Sequence, residues 1–137
     1  MNEYRFSDIT LGMAEEFSSS ITEEMMAHFL SISGDTNPIH IDDEYARSKG
    51  FHSRVVWGMC TSALYSRLVG TFLPGKFCLL QGIQITYNHP AYVSNYLTVC
   101  GVVSYINQAY QMIEIKAYIE SNGVKISKAK IKLGFYE

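Results

Sequence analysis

The chain changes its hydrophobic period near its middle. Up to residue 73 the apolar positions recur at helical spacing, and after Pro74 they recur at every second residue. In the first half, Thr22 is a good helix N-cap. Glu23 and Glu24 follow it and place negative charge at the positive end of the helix dipole. Ile21 and Met26 occupy the two positions of a hydrophobic staple. Met25, Met26, Phe29, Leu30 and Ile32 mark the apolar face of this helix, and Gly34 supplies its C-terminal cap. Ahead of it, residues 16–20 read as a short strand. A second short helix is predicted with Asp42 or Asp43 as its cap and Gly50 at its end. Residues 57–73 are apolar nearly all round, which is the pattern of a buried central helix, and Pro74-Gly75 stops it.

Four strands follow. Leu79, Gln81, Ile83, Ile85 and Tyr87 share one face of the first. Leu97, Val99, Gly101 and Val103 alternate with Thr98, Cys100 and Val102 in the second. Ile113, Ile115, Ala117 and Ile119 belong to the third, and Ala129, Ile131, Leu133 and Phe135 to the fourth. Each strand is read as having one more buried face. Asn122-Gly123 between the last two is a strong hairpin turn. Lys128, Lys130 and Lys132 form the solvated face of the last strand. One buried helix followed by an antiparallel sheet predicts an α+β fold, with residues 1–137 as a single domain. The period by itself does not choose among α+β arrangements.

Composition narrows the function classes. A chain of 137 residues with 47% hydrophobic and 13% aromatic residues can bury a core, so disorder is excluded. Eleven Lys and Arg against 13 Asp and Glu leave a net charge of -2, which offers no electrostatic case for nucleic acid or an anionic membrane as partner. No apolar run reaches the ~18 residues of a membrane-spanning helix. The first six residues lack the pattern of a signal peptide, so a cytoplasmic location is expected. Cys60, Cys78 and Cys100 read as buried thiols of a reducing compartment. Four metal ligands at usable spacing are not found, so a zinc site is not expected.

The candidate chemistry lies in residues 29–46, FLSISGDTNPIHIDDEYA. Asp35 and His40 are separated by a segment that Pro38 keeps out of the preceding helix, because it pushes Asn37 toward an extended conformation. The segment is therefore read as a loop, which can turn both side chains toward one point. An ionised carboxylate and a neutral imidazole can together bind a water, deprotonate it and return a proton elsewhere. On spacing alone, ordinary turn chemistry explains Asp-Thr-Asn-Pro equally well.

The same stretch resembles the signature of the MaoC-like, (R)-specific enoyl-CoA hydratases, also called the hydratase 2 family. Phe29, Ile32, Ser33, Gly34, Asp35, Asn37, Pro38, Ile39, His40 and Ala46 fill its constrained positions. The segments 55–59 and 73–76 resemble the family's helix start and the stretch after that helix. The resemblance implies a hot-dog fold, an antiparallel sheet wrapped around a long central helix, and a homodimer. It also implies reversible hydration of a trans-2-enoyl thioester, carried by CoA or by an acyl carrier protein, to an (R)-3-hydroxyacyl thioester. Asp35 and His40 match the catalytic pair, and the implied reaction needs neither a metal nor a redox cofactor. Ser66 matches a serine lining the site, and Asn37 belongs with the substrate-binding positions.

Gly58 has a physical argument beside the resemblance. At a helix start, backbone N–H groups lack intrahelical partners and can bind a thioester oxygen as it gains enolate charge. Trp57 departs from the family, which commonly has histidine there, and its indole would narrow the pocket or pack in the core. His28, His52 and His89 read as surface or satisfied histidines. Arg47, Lys49 and Arg54 are candidate contacts for a phosphorylated or acidic carrier. Two other readings use the same fold: a non-catalytic acyl-thioester-binding protein, which Trp57 invites, and a thioesterase.

Overall fold

The computed structural model describes residues 1–137. Strands β1 (Ala14–Ser19), β2 (Cys78–Tyr87), β3 (Leu97–Asn107), β4 (Met112–Ser121) and β5 (Val124–Phe135) form one sheet in the order β1-β3-β4-β5-β2, each neighbouring pair antiparallel. Asn122 and Gly123 both take positive φ, 51° and 77°, which is what a tight two-residue turn between β4 and β5 requires. The helices are α1 (Glu23–Ser33), α2 (Pro38–Ile41), α3 (Asp43–Ser48) and α4 (Gly58–Arg67). The sheet wraps α4, so the fold is the α+β hot-dog arrangement.

Three contacts hold α4 against the sheet. A side chain at Gly101 would stand 2.7 Å from Leu68 Cδ2, so glycine there lets the end of the helix rest on β3. In the middle, the buried Tyr65 hydroxyl and Ser127 Oγ lie 2.8 Å apart and satisfy each other. At the start, the ring of Tyr87 lies over Gly58. Between these points Leu64, Tyr65 and Leu68 pack with Leu97, Val99, Ile113, Ile115, Ile131 and Leu133 in one continuous core.

Five expectations are corrected. The central helix is not buried all round. Cys60, Thr61, Leu64, Tyr65, Leu68 and Val69 face inward, while Met59, Ala63, Ser66 and Arg67 are exposed. Nor is it α-helical to its end, because Leu68–Phe72 forms a wider turn closed by Leu73 N–H to Leu68 O at 2.9 Å. Strand β2 has no buried residue, since it is an edge strand with β5 as its single neighbour; Leu79, Leu80, Ile83 and Tyr87 stand exposed. Helix α1 lies on the rim, so Met26 is buried and Phe29 and Leu30 half-buried, while Met25 and Ile32 point to solvent. The segment read as a loop contains the helical turn α2. Pro38 occupies its first position, where a missing N–H costs nothing, and Asn37 caps it by accepting from the Ile39 N–H at 3.1 Å.

Other expectations agree in detail. Thr22 and Asp42 cap α1 and α3 through side-chain bonds to Met25 N–H and Tyr45 N–H. Gly34 ends α1 at φ 65°. Lys128, Lys130 and Lys132 are exposed along β5. No helix is long and apolar enough to cross a membrane.

Candidate active site

Gly34 turns the chain out of α1, and the next residues fold back on themselves. Asp35 N–H donates to Ser33 Oγ at 3.1 Å, and Asp35 Oδ1 accepts from Asn37 N–H at 3.0 Å. This is an Asx turn, which fixes the carboxylate by a local bond and leaves it exposed. One residue after Asn37, Pro38 opens α2, and His40 sits on that single turn.

His40 is locked from two sides. Its Nδ1 lies 2.7 Å from Val55 O. A carbonyl only accepts, so Nδ1 carries the hydrogen and Nε2 keeps a free lone pair. The ring stacks on Trp57 with centroids 5.0 Å apart and an interplanar angle of 28°. Trp57 in turn meets Phe29 of α1 at 5.2 Å. The indole is thus buried between helix and histidine and does not intrude into the pocket; its Nε1 has no hydrogen-bond partner. Val55 is itself held, donating its N–H to Ile39 O at 3.0 Å.

Arg54 braces the same region. Its guanidinium bridges Glu23 at the start of α1 and Asp43 at the start of α3, and its N–H donates to Asp43 Oδ1 at 2.9 Å. That N–H, with the guanidinium beside it, holds the Asp43 carboxyl below the usual range. Arg54 is therefore engaged in holding α1 to α3 and is not a free contact for a carrier. Arg47 remains exposed, and the Lys49 ammonium lies over the Tyr45 ring.

A cavity of about 490 Å³ opens beside His40 and is lined by Phe51, Gly58, Met59, Tyr87 and His89 among others. Trp57 caps α4 without any side-chain bond, and the Gly58 and Met59 N–H groups have no backbone acceptor. The cavity thus joins an imidazole with a free nitrogen to a helix start with free donors. That combination suits a reaction in which a proton moves and negative charge builds on an oxygen.

The predicted residues divide. His40 and Gly58 line one cavity. Asp35 belongs to the same motif but neither lines that cavity nor hydrogen-bonds to His40. Asn37 shapes the turn as the cap of α2. Ser66 lies two turns beyond Gly58, on a separate apolar groove with Ala63, Leu80 and Ile83. His89, read as satisfied, does bond to Lys125 O at 3.0 Å, and it also lines the cavity. Sequence reasoning missed Val55 and Tyr87. A backbone carbonyl leaves no trace in residue type, and Tyr87 read as one more alternating strand residue.

Cys60, Cys78 and Cys100 are free and none lines the cavity. Burial pushes all three thiols up, which keeps them protonated and poor nucleophiles. No three His, Cys, Asp or Glu side chains converge as a metal site would need.

Comparison with known proteins identifies the family. The MaoC like domain model matches residues 9–125. The (R)-specific enoyl-CoA hydratase of Rhodospirillum rubrum is 29% identical over 93 residues, which are 68% of this chain and 65% of that protein. The (R)-specific enoyl-CoA hydratase of Aeromonas caviae is 30% identical over 90 residues, 66% of this chain and 67% of that protein. The matched stretch therefore spans about two thirds of these relatives' length, and slightly less for the first. Among solved structures, the (R)-hydratase of A. caviae superposes with a TM-score of 0.89 at 23% identity, covering 93% of this chain and 98% of that one. A family match across most of the chain, on a sheet and helix that superpose so closely, means that this chain belongs to the MaoC-like domain family.

Proposed function

We propose that the chain is a single MaoC-like hot-dog domain that reversibly hydrates trans-2-enoyl thioesters to (R)-3-hydroxyacyl thioesters. The observation that carries this reading is the shared cavity, which is lined by His40 and by Gly58 and Met59, whose amides have no backbone acceptor. The names of the relatives support the reaction class.

In this reading the thioester oxygen accepts from the N–H groups at the start of α4. Water is held at His40, and Asp35, which shares its motif but lies off the cavity wall in the single chain, is assigned the second contact to that water. Its oxygen bonds to C3 as the C2=C3 π pair shifts toward C2 and the thioester oxygen, where the helix amides stabilise the enolate charge. One water proton passes to the Asp35–His40 pair, and a proton from the pair goes to C2. The net change is the addition of one water, with no redox step. In reverse the same groups remove it. Asn37 contributes by keeping the turn that aims Asp35, and Ser66 lines the apolar groove that continues along α4 beyond the site.

The substrate is carried by CoA or by an acyl carrier protein, in a reducing cytoplasm that suits three free cysteines. The working unit is a homodimer. The exposed apolar residues of edge strand β2 and the exposed Met59 and Ala63 of α4 support this, since a second copy laid along β2 would cover both.

The test mixes purified protein with crotonyl-CoA, follows the enoyl thioester absorbance and assays free thiol in parallel. Loss of absorbance with (R)-3-hydroxybutyryl-CoA as product and no thiol release is the expected result. Thiol release would assign a thioesterase instead. Binding of crotonyl-CoA without either change would assign a non-catalytic binding protein.

A further inference from the structure

Two cavities lie end to end along the seam between α4 and β2. The first holds His40 and runs past Gly58, Met59 and Thr61 of the helix and Tyr87 of the strand. The second, about 230 Å³, runs past Ser62, Ala63, Ser66 and Val69 of the helix and Leu80, Ile83 and Ile85 of the strand. Eight of the ten residues lining the second are apolar. Met59 borders both.

At the junction, Tyr87 reaches across from strand to helix. Its hydroxyl lies 2.6 Å from Ser62 Oγ and 3.5 Å from Met59 Sδ. The Ser62 hydroxyl also bonds to Gly58 O at 2.9 Å, so the contact is fixed to the same helix turn that offers the free amides. The ring rests on Gly58, where an added Cβ would stand only 2.8 Å from it. Ser62 lies four residues beyond Gly58, a rise of ~6 Å along the helix. That is about the reach of a four-carbon acyl group from a thioester oxygen held at Gly58. A longer chain must pass the Tyr87–Ser62 contact to reach the apolar groove beyond.

We infer that the Tyr87–Ser62 hydrogen bond is an acyl-chain gate that restricts the site to short enoyl thioesters and shuts off the groove leading to Ser66. The inference rests on the hydratase reading for its substrate, but the gate acts on any acyl thioester. Tyr87 and Ser62 are specificity-determining residues here, and no proton passes through them.

The experiment compares crotonyl-CoA with trans-2-octenoyl-CoA in the full-length wild type, Tyr87→Ala and Ser62→Ala, reading the ratio of kcat/KM for the two chains. Binding of butyryl-CoA and octanoyl-CoA, measured by calorimetry, gives the same ratio without turnover. The wild type is expected to prefer the short chain. Both variants are expected to raise the octenoyl-to-crotonyl ratio by roughly tenfold or more, the size of effect that a few methylenes in an apolar pocket can produce. Loss of packing alone would lower both substrates together and leave the ratio unmoved. Ser62→Ala keeps the whole ring and decides the matter if Tyr87→Ala fails to fold. An unchanged ratio in turnover and in binding overturns the gate. A wild type with no turnover on either chain, but with length-selective binding that Ser62→Ala relaxes, overturns the hydratase reading and leaves the gate standing.

Discussion

His40 is held by two contacts that do different things to its ring. The carbonyl of Val55 sets which nitrogen carries the hydrogen, and the face of Trp57 sets where the ring plane lies. Together they fix the ring at the wall of the cavity before any substrate arrives, which is the pre-organisation that proton transfer needs. Gly58 is constrained just as closely from the other side. Gly58→Ala must displace the Tyr87 ring, so it should destabilise the protein by ~1–3 kcal/mol and lower turnover by roughly tenfold or more. Thermal unfolding and crotonyl-CoA kinetics on the variant check both; an unchanged melting temperature would mean the ring has room to move. The motif around Asp35 and His40 was legible in the sequence because its geometry is local. Gly34, Asn37 and Pro38 each act on their immediate neighbours. Val55 and Tyr87 were not legible, because their partners come from elements far along the chain.

At the scale of elements, the period of two located β3, β4 and β5, and the Asn122-Gly123 turn joined the last two. The exposure of β2 could not be read that way. Its alternation is as regular as that of its neighbours, but the topology puts it at an edge beside β5. Helix α4 shows the same limit, since an apolar surface all round looks buried until its partners are known. What holds α4 to the sheet is testable at Tyr65. Burial, the largest influence on it, pushes the phenol up from 10.0 to about 12. A raised folded value means that stability from the neutral phenol is fully present below pH 10 and is lost as the pH rises through about 12. Tyr65→Phe should cost ~1–3 kcal/mol at neutral pH, because the Ser127 hydroxyl is then buried without a partner. It should also flatten the alkaline decline. Denaturant melts from pH 7 to pH 11 would show both effects, and an identical slope in the two proteins would remove Tyr65 as the cause.

At the scale of the whole molecule, one apolar strip remains uncovered in the isolated chain, made by Leu79, Leu80 and Ile83 of β2 with Met59 of α4. Water facing such an edge invites pairing, and a second copy is the partner proposed for it. Light scattering should give twice the chain mass for the wild type and the single-chain mass for Ile83→Lys, with activity falling alongside; a wild type that runs as a single chain would remove the dimer. The central claim is that Asp35 and His40 act as a pair on water. The most direct measurement is crotonyl-CoA hydration by the wild type, Asp35→Asn and His40→Gln, with circular dichroism to establish that each is folded. Both substitutions keep side-chain size but remove the ability to take a proton at that point. Each folded variant is expected to lose turnover by ~10²–10⁴ while crotonyl-CoA still binds. Turnover within a few-fold of the wild type in either variant would contradict that claim.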